Sequence, residues 1–366
     1  MPPTLDSDLI ARMPVASLSV ALEPAQNVLN SLVLLTAVDR FSGLDEWVTR
    51  TSAQMSLDER HRNRLVCEGL YFALEPNRRW PSFTNYLDDL AARDAVEMRD
   101  RLLWNLSRAC ISKAPPGTQS AALIEPATLL SSADAYIRYL QDYEFEFDPA
   151  LEIEAHALFS DPPRMKDLIV SHLSAIWHER MSSEWERVKP MLQESVAAFQ
   201  QIDFRRMSGF EALRLVTGQD PHEKWRDLIA DSRQIIFVPS AHLGPYLRKF
   251  QEDKLIWVLF GARLPDGAAA GASALSRADL LVRLGALTDD ARLRILSLLS
   301  QQDELCAQDI MVQLDLNQSA ASRHLRQLSA AGYITERRRD VAKCYSLNRE
   351  RINDTFRALD RFLTRP

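Results

Sequence analysis

The chain has 366 residues, of which 46% are hydrophobic and 26% charged, and its formal net charge is -6. These values are typical of a soluble globular protein with room for two domains. No apolar run approaches the roughly 20 residues that span a bilayer, and the first residues lack the basic and then apolar order of a secretory signal. We therefore expect a cytoplasmic protein with no membrane partner.

The four cysteines, Cys67, Cys110, Cys306 and Cys344, are widely separated and form no CxxC pair. This spacing argues against a disulfide framework and against a cysteine-rich zinc site. We expect reduced, mostly structural thiols.

The overall charge is unevenly divided along the chain. Residues 276–366 contain 15 Lys and Arg against 12 Asp and Glu, a net charge of +3, which leaves 29 against 38, or -9, for residues 1–275. A mildly basic tail on an acidic body favours an anionic partner, such as DNA, at one end only.

Helical periodicity dominates from Pro24 to about Asp231. Apolar residues recur at spacings of three and four in four segments, which are residues 56–74, 94–111, 165–181 and 183–202. Pro162 and Pro163 are typical of a helix start, and Pro190 indicates a possible break or kink.

Two apolar runs, residues 234–238 and 255–260, predict strands buried on both faces, with a short helix or loop at 241–250 between them. Residues 265–275 are rich in Ala, Gly and Ser and read as a linker. The predicted fold is therefore mainly α. It has a large helical N-terminal domain with a small β element (residues 1–264), the linker, and a winged helix-turn-helix (residues 276–366).

The C-terminal domain carries the clearest pattern. Residues 277–287 predict a short helix, Asp289 or Asp290 can cap the next one, and residues 306–314 predict the first helix of a helix-turn-helix. Residues 315–317 form the turn, and Asn317 can cap the second helix. Gly332 is expected to close that helix.

The second helix predicts a surface for DNA. Ala321, Leu325 and Leu328 fall at i, i+4 and i+7 and make its buried stripe. The predicted DNA-contacting residues of this helix are Gln318, Ser319, Ala320, Ser322, Arg323, His324 (in part) and Arg326. Amide and guanidinium groups near a helix N-terminus suit the reading of base edges in a major groove, and hydroxyls suit phosphate.

A basic hairpin follows, with strands at 333–337 and 342–347 around the tip 338–341. Arg337, Arg338, Arg339 and Lys343 are expected to contact the phosphate backbone, as a wing does.

With these residues in order, residues 277–348 resemble the winged helix-turn-helix of the ArsR-type family of bacterial repressors. The matching segments are 289–296, 318–328 and 331–334, within about a fifth of the chain. The resemblance implies binding to operator DNA as a homodimer, commonly through the first and last helices of the module. Ile352, Phe356, Leu359 and Leu363 give the last helix an apolar stripe for that role.

Metal sensing does not follow from the resemblance. Metal sensors of this family often carry Glu-Leu-Cys-x-Cys-Asp-Leu, whereas here Gln308 stands in place of the second cysteine. His172 and His178 are six residues apart and match no metalloprotease motif, and no catalytic motif stands out. We expect no metal, no cofactor and no enzymatic activity.

The sequence thus predicts a dimeric, sequence-specific transcriptional regulator, most simply a repressor, that binds double-stranded DNA at an inverted repeat. The N-terminal domain either binds a small-molecule effector or supplies dimer surface. Its tryptophans, which all precede the linker, could line a pocket or fill a core. Two alternatives stay open, an enzyme with an accessory winged helix and a protein-interaction scaffold.

Overall fold

The computed structural model describes residues 16–41, 44–111, 126–142, 147–219, 224–265, 277–339 and 342–364. The fold is mainly helical with small sheets, as predicted. The described residues of Leu22–Gln193 and Ser240–Tyr246 form one compact unit, here the helical unit. Those of Met1–Ala21, Glu194–Pro239 and Leu247–Pro366 form another, here the mixed unit. Within the described residues, no helix combines the length and apolar character that a membrane span requires.

The first strand among the described residues, β1 (Ser17–Val20), belongs to the mixed unit, and the helical unit follows it. The helices that begin in the helical unit are α1 (Pro24–Leu35), α2 (Glu46–Gln54), α3 (Leu57–Arg64), α4 (Tyr71–Leu74), α5 (Phe83–Ala92), α6 (Ala95–Ile111), α7 (Pro126–Leu130), α8 (Ala133–Asp142), α9 (Pro149–Phe159), α10 (Pro162–Ile176) and α11 (Ser182–Phe199). Two π-helical turns, Leu65–Gly69 and Trp177–Met181, follow α3 and α10.

Local signals set the helix starts that the sequence predicts. Ser56 and Glu59 form a reciprocal capping box at the start of α3, and Asp161 caps α10 just before its two prolines. All four predicted helical segments are helical over most of their length. Pro190 lies inside α11 without ending that helix.

The mixed unit contains a four-stranded sheet in the order β1-β2-β4-β3. Its other strands are β2 (Gln234–Ser240), β3 (Arg248–Glu252) and β4 (Leu255–Gly261), and α12 (Gly209–Thr217) and α13 (Lys224–Ala230) precede β2. β1 runs parallel to β2, and β3 runs antiparallel to β4. Side chains from both central strands and from α12 and α13 form one core.

The two predicted strands are confirmed as the central strands β2 and β4, and both are buried along most of their length. The prediction of a helix or loop at 241–250 is wrong at its end, because Arg248 to Phe250 belong to β3. β3 is an edge strand of mostly polar residues. Edge strands need no continuous apolar run, so the residues of β3 carry no strand signal of their own.

The C-terminal part of the mixed unit has the secondary-structure order of a winged helix-turn-helix. Its elements are α14 (Arg277–Ala286), α15 (Asp290–Gln301), β5 (Leu305–Cys306), α16 (Ala307–Leu314), α17 (Gln318–Ala330), β6 (Ile334–Arg339), β7 (Ala342–Leu347) and α18 (Arg349–Thr364). The three strands form a second sheet in the order β5-β7-β6. The buried residues Ile295, Ile310, Leu328 and Tyr333 are among those at the centre of the core of this module.

The predicted linker at 265–275 lies outside the described residues except for Pro265. Contacts group the winged helix with the strands and helices of the mixed unit, whereas the predicted division separates residues 1–264 from 276–366. That division stays a prediction.

Candidate nucleic-acid interface

Two helices joined by a short turn form the centre of the C-terminal module. Asp315, directly after α16, adopts a left-handed backbone with φ 52° and redirects the chain. Asn317 then caps α17, because its Oδ1 accepts a hydrogen bond from the backbone N–H of Ala320 at 2.8 Å. The cap satisfies a donor that the helix itself leaves free and fixes the residue at which α17 begins. The predicted turn and cap are confirmed.

The end of α17 is equally well defined. Gly332 has φ 79°, and its N–H donates to the carbonyl oxygen of Ser329 at 3.0 Å. The N–H of Tyr333 donates to the carbonyl oxygen of Leu328 at 3.0 Å. This αL ending is the one that glycine supplies most readily. The hydroxyl of the buried Tyr333 donates to the carbonyl oxygen of Arg283 in α14 at 3.0 Å, which ties the helix end to the module's first helix.

The inner face of α17 is wider than predicted. Ala321, Leu325 and Leu328 are buried, as the periodicity predicts. His324 is buried as well, with 6% of its surface exposed, so the prediction that it partly faces DNA is wrong. It lies three residues after Ala321 and therefore on the same helical face. Burial lowers the pKa of His324, and its Nδ1 lies 3.5 Å from Oδ1 of Asp289.

The outer face of α17 is polar and contains no acidic side chain. The exposed members of the predicted DNA-contacting set are Gln318, Ser319, Ser322 and Arg323, and the half-buried members are Ala320 and Arg326. All four exposed residues lie in the first half of the helix, where the partial positive charge of the helix N-terminus adds to that of the guanidinium group. This surface suits a ligand that carries negative charge and hydrogen-bonding edges.

Two of the predicted wing cations are bound to acidic residues. Arg337 donates to both carboxylate oxygens of Glu304, from Nε at 3.0 Å and from Nη2 at 2.9 Å. These hydrogen bonds lower the pKa of Glu304. Nζ of Lys343 lies 3.0 Å from Oε1 of Glu336. Both cations are on exposed side chains, and exposed ion pairs of this kind exchange partners readily.

The other two wing arginines lie at the end of β6. Arg339 is exposed and pairs in register with Ala342. Arg338 is opposite Lys343 in the same ladder, and its side chain lies outside what the structure describes, as do residues 340 and 341 of the tip. The predicted hairpin itself is confirmed.

The last helix, α18, exposes apolar side chains. Phe356 is 52% exposed and Leu363 is 71% exposed, whereas Ile352 and Leu359 are half-buried and Ile352 packs against the module's core. Phe362, which lies outside the predicted apolar stripe, is also exposed on this helix. α18 packs beside α14, on which Leu281 is also exposed. The first and last helices of the module thus pack together, and both expose apolar side chains.

Cys306 and Cys344 form a disulfide bond, which corrects the prediction of reduced thiols. The two residues stand directly opposite each other in the antiparallel pairing of β5 with β7. β5 has only two residues and gave no strand signal, so the sequence could not place the two sulfur atoms together. Cys67 and Cys110 are buried and belong to no disulfide bond, as expected for structural thiols.

A polar cluster in the helical unit, here the His242 cluster, consists of Ser31, Asp45, Glu184 and His242. Nδ1 of His242 lies 2.7 Å from Oγ of Ser31, and its Nε2 lies 2.8 Å from Oε1 of Glu184. The ring also stacks on Trp47, with centroids 4.7 Å apart. Ser31, Glu184 and His242 are all buried. No motif spacing could have revealed this cluster, because its members are spread over more than 200 residues of sequence.

The donor atoms of Asp45, Glu184 and His242 lie within 4.8 Å of one another, a spacing that could hold a metal ion. However, the two carboxylate oxygens of Glu184 already accept hydrogen bonds from Arg187, and one of them also pairs with His242. Burial acts to raise the pKa of Glu184, but the hydrogen bonds from His242 and Arg187 outweigh it and lower that pKa to about 2. The cluster is therefore a hydrogen-bonded network around the buried carboxylate of Glu184, which is a stabilising arrangement in itself.

Comparison with known proteins agrees with the geometry of the C-terminal module. Residues 289–336 match the family model described as bacterial regulatory protein, arsR family. A stretch of 64 residues is 39% identical to the arsenic resistance transcriptional regulator ArsR1 of Pseudomonas putida. The match covers 18% of this chain and 50% of that relative. The C-terminal region therefore carries an ArsR-type helix-turn-helix domain, whereas the chain spans only half the length of the curated relative it matches.

Proposed function

We propose that this chain, whose C-terminal region carries an ArsR-type helix-turn-helix domain, is a sequence-specific DNA-binding transcriptional regulator. The observation that carries the proposal is the outer face of α17. It presents Gln318, Ser319, Ser322 and Arg323 to solvent and has no acidic side chain to repel phosphate. A capped N-terminus and an αL ending fix this helix as a rigid reading element.

In the proposed complex, the N-terminal half of α17 enters a major groove, which is wide enough to admit a helix. Arg323 is the candidate for bidentate bonds to guanine, and Gln318 is the candidate for bonds to adenine. The hydroxyls of Ser319 and Ser322 are placed to bind phosphate. Arg323 and Gln318 are therefore the two residues proposed to read bases, and the other contacts of α17 orient the helix.

The wing adds contacts to the phosphate backbone. Arg339 is exposed for this role, and Arg337 can exchange the carboxylate of Glu304 for a phosphate, since both groups offer two acceptor oxygens to the guanidinium. Lys343 can likewise exchange its ion pair with Glu336 for one with a phosphate. These contacts should contribute affinity that falls with salt concentration and does not depend on sequence.

A second copy of the chain is the proposed occupant of the apolar surface on α14 and α18. Leu281, Phe356 and Leu363 are exposed there, and a two-fold interface uses the same surface on both subunits. Two recognition helices related in this way read an inverted repeat, with half-sites about one helical turn apart. Such a dimer on an operator most simply acts as a repressor.

The region before the linker would adjust the dimer by binding a small-molecule effector. A groove of about 550 Å³ in the mixed unit is lined by residues 16–20, Gln200 and residues 202–205, and pockets of this size accommodate small ligands. A ligand acts only if it binds one dimer arrangement better than the other.

Ligands that raise the thermal midpoint of the wild type but not of Ile202→Trp would support this role. If no compound of a metabolite library raised the midpoint, the effector role would be contradicted, and dimerisation would be the role proposed in its place.

The test of DNA binding is selection of duplexes from a random-sequence library by the purified full chain, followed by fluorescence anisotropy. We expect an inverted repeat to be enriched and to bind more tightly than a scrambled duplex at two salt concentrations. Arg323→Ala should weaken selective binding by about 1–3 kcal/mol, roughly 5- to 150-fold. Arg294→Ala removes the same charge from an exposed position on α15 and is the matched control. The affinity of Arg294→Ala for the selected duplex should stay within about twofold of the wild-type affinity if a positive charge at this position contributes little to DNA binding.

Each outcome of this experiment decides between the candidate functions. Selection without any enriched sequence, together with equal binding to all duplexes, would contradict sequence-specific recognition. No binding even at low salt would favour the protein-interaction scaffold. Equal losses for Arg323→Ala on selected and scrambled duplexes would assign Arg323 to the phosphate backbone instead of to a base.

A further inference from the structure

The disulfide between Cys306 and Cys344 joins the two parts of the module that are proposed to contact DNA. Cys306 is the residue that caps α16, the first helix of the helix-turn-helix. Cys344 lies in β7, the second strand of the wing. The bond therefore closes a covalent loop with a sequence separation of 38 residues that contains α16, α17 and β6. Every residue of the proposed base-reading surface lies inside this loop.

The strand pairing around the bond is short. β5 consists of Leu305 and Cys306, and its pairing with β7 comprises two residue pairs, Leu305 with Tyr345 and Cys306 with Cys344. A two-residue strand is marginal as a source of ladder hydrogen bonds. The covalent bond therefore adds to the non-covalent contacts between the start of α16 and the wing, which include the pairing of Arg337 with Glu304, and its loss would loosen that connection.

The two sulfur-bearing residues differ in access to solvent. Cys344 is fully buried, whereas Cys306 is half-buried at the start of α16. A small thiol or disulfide reagent can therefore approach Cys306 first. The two cysteines of the helical unit, Cys67 and Cys110, are buried at 1% and 0% exposure and are not bonded to each other. Among the four cysteines, only Cys306 is placed for ready thiol exchange.

We propose that Cys306 and Cys344 are a reversible modification site that takes low-molecular-weight disulfides and thiols as its substrates and sets the DNA affinity of the module. The inference rests on the proposed DNA-binding function. The oxidised form fixes the wing relative to the helix-turn-helix and binds operator DNA more tightly. The reduced form must order the wing on binding, and ordering costs affinity.

The chemistry balances with a low-molecular-weight disulfide, RSSR, as the oxidant. The thiolate of Cys306 attacks one sulfur of RSSR, which forms a mixed disulfide and releases one RS⁻. The thiolate of Cys344 then attacks the sulfur of Cys306, forms the protein disulfide and releases the second RS⁻. The two protons of the cysteine thiols pass to the two RS⁻ groups. The protein loses two electrons and the reagent gains them, and excess thiol reverses both steps.

The test uses the full chain equilibrated with either glutathione disulfide or dithiothreitol, with alkylation of free thiols under denaturing conditions and mass analysis. We expect four alkylated cysteines after reduction and two after oxidation, with the peptides of Cys306 and Cys344 linked. Anisotropy with the selected duplex should show binding at least threefold tighter in the oxidised form. Cys306→Ser and Cys344→Ser should each bind like the reduced wild type in both conditions, whereas the control Cys67→Ala should respond like the wild type.

The comparison of oxidised with reduced wild type needs no variant, so it stands even where a substitution disturbs folding. Four alkylated cysteines after oxidation would overturn the modification site. Two alkylated cysteines with equal affinity in both states would overturn its effect on DNA binding. A linked pair without selective DNA binding in either state would instead overturn the proposed function and, with it, the regulation inferred from it.

Discussion

Glu152 on α9 should make the stability of the helical unit depend on pH. Its side chain is buried with 7% of its surface exposed, and one carboxylate oxygen accepts a hydrogen bond from the hydroxyl of Tyr136 at 2.6 Å. Burial raises the pKa of Glu152 from 4.5 to about 7, and the hydrogen bond from Tyr136 opposes this only in part. Nearby Glu68 and Asp148 raise that pKa further.

The magnitude follows from the two pKa values. A raised pKa means that the folded protein holds the proton more tightly than the unfolded chain, so the stabilisation is complete below pH 4.5 and is lost as the pH rises through about 7. Each pH unit between the two values corresponds to about 1.4 kcal/mol. Between pH 5 and pH 8 the wild type should therefore lose about 2 to 3 kcal/mol that Glu152→Gln does not lose.

Urea unfolding followed by tryptophan fluorescence, at several pH values from 5 to 8, measures this difference. Glutamine keeps an oxygen that can accept the Tyr136 hydrogen bond and has no charge to bury. Glu179→Gln, at an exposed position of the same unit, is the matched control and should keep the pH dependence of the wild type. His172, whose pKa burial lowers to about 4, titrates in all three proteins, so its contribution cancels in the comparison. Parallel profiles for Glu152→Gln and the wild type would refute the reasoning.

Asn317→Ala removes the oxygen that caps α17 and should lower the free energy of unfolding of the C-terminal module by about 1 kcal/mol, measured by chemical denaturation. An unchanged unfolding midpoint would contradict the cap. Gly332→Ala places a Cβ 2.9 Å from Nε of Arg351 at a backbone with φ 79°, so calorimetry should show a destabilisation of about 1–3 kcal/mol. Leu363→Glu puts a charge on the exposed surface of α18 and should shift sedimentation towards the monomer while helical content is kept. A dimer that persisted would place the interface elsewhere.

The winged helix could be predicted from sequence because its signals are local. Asp289 and Asn317 cap helices within their own segments, and Gly332 ends α17 four residues after the last residue of the buried stripe. The apolar stripe and the hairpin also repeat at fixed spacings. His324 was misplaced because the buried face of α17 includes His324 and Gln327 in addition to the three-residue stripe, and sequence spacing does not show how deeply a helix sits in its core.

Features that depend on distant residues could not be predicted. The His242 cluster joins residues from α1, the start of α2, α11 and the segment after β2, and no periodicity relates those positions. The bond between Cys306 and Cys344 depends on the register of a two-residue strand, and cysteine connectivity cannot be deduced from sequence. β1 and β3 are short edge strands whose pairing partners, and not their own composition, make them strands.

The parallel pairing of β1 with β2 has a consequence for synthesis of the chain. Ser17 in β1 is the register partner of Gln234 in β2, so β1 cannot pair until the ribosome has added more than 200 further residues. At 5 to 20 residues per second, that interval is roughly 10 to 40 s. Throughout this interval, β1 has no strand to pair with. In any fragment that starts after Val20, the apolar β2 becomes an open edge of the sheet. Such fragments should be prone to edge-to-edge association, so expression boundaries placed downstream of β1 would favour aggregates over folded protein.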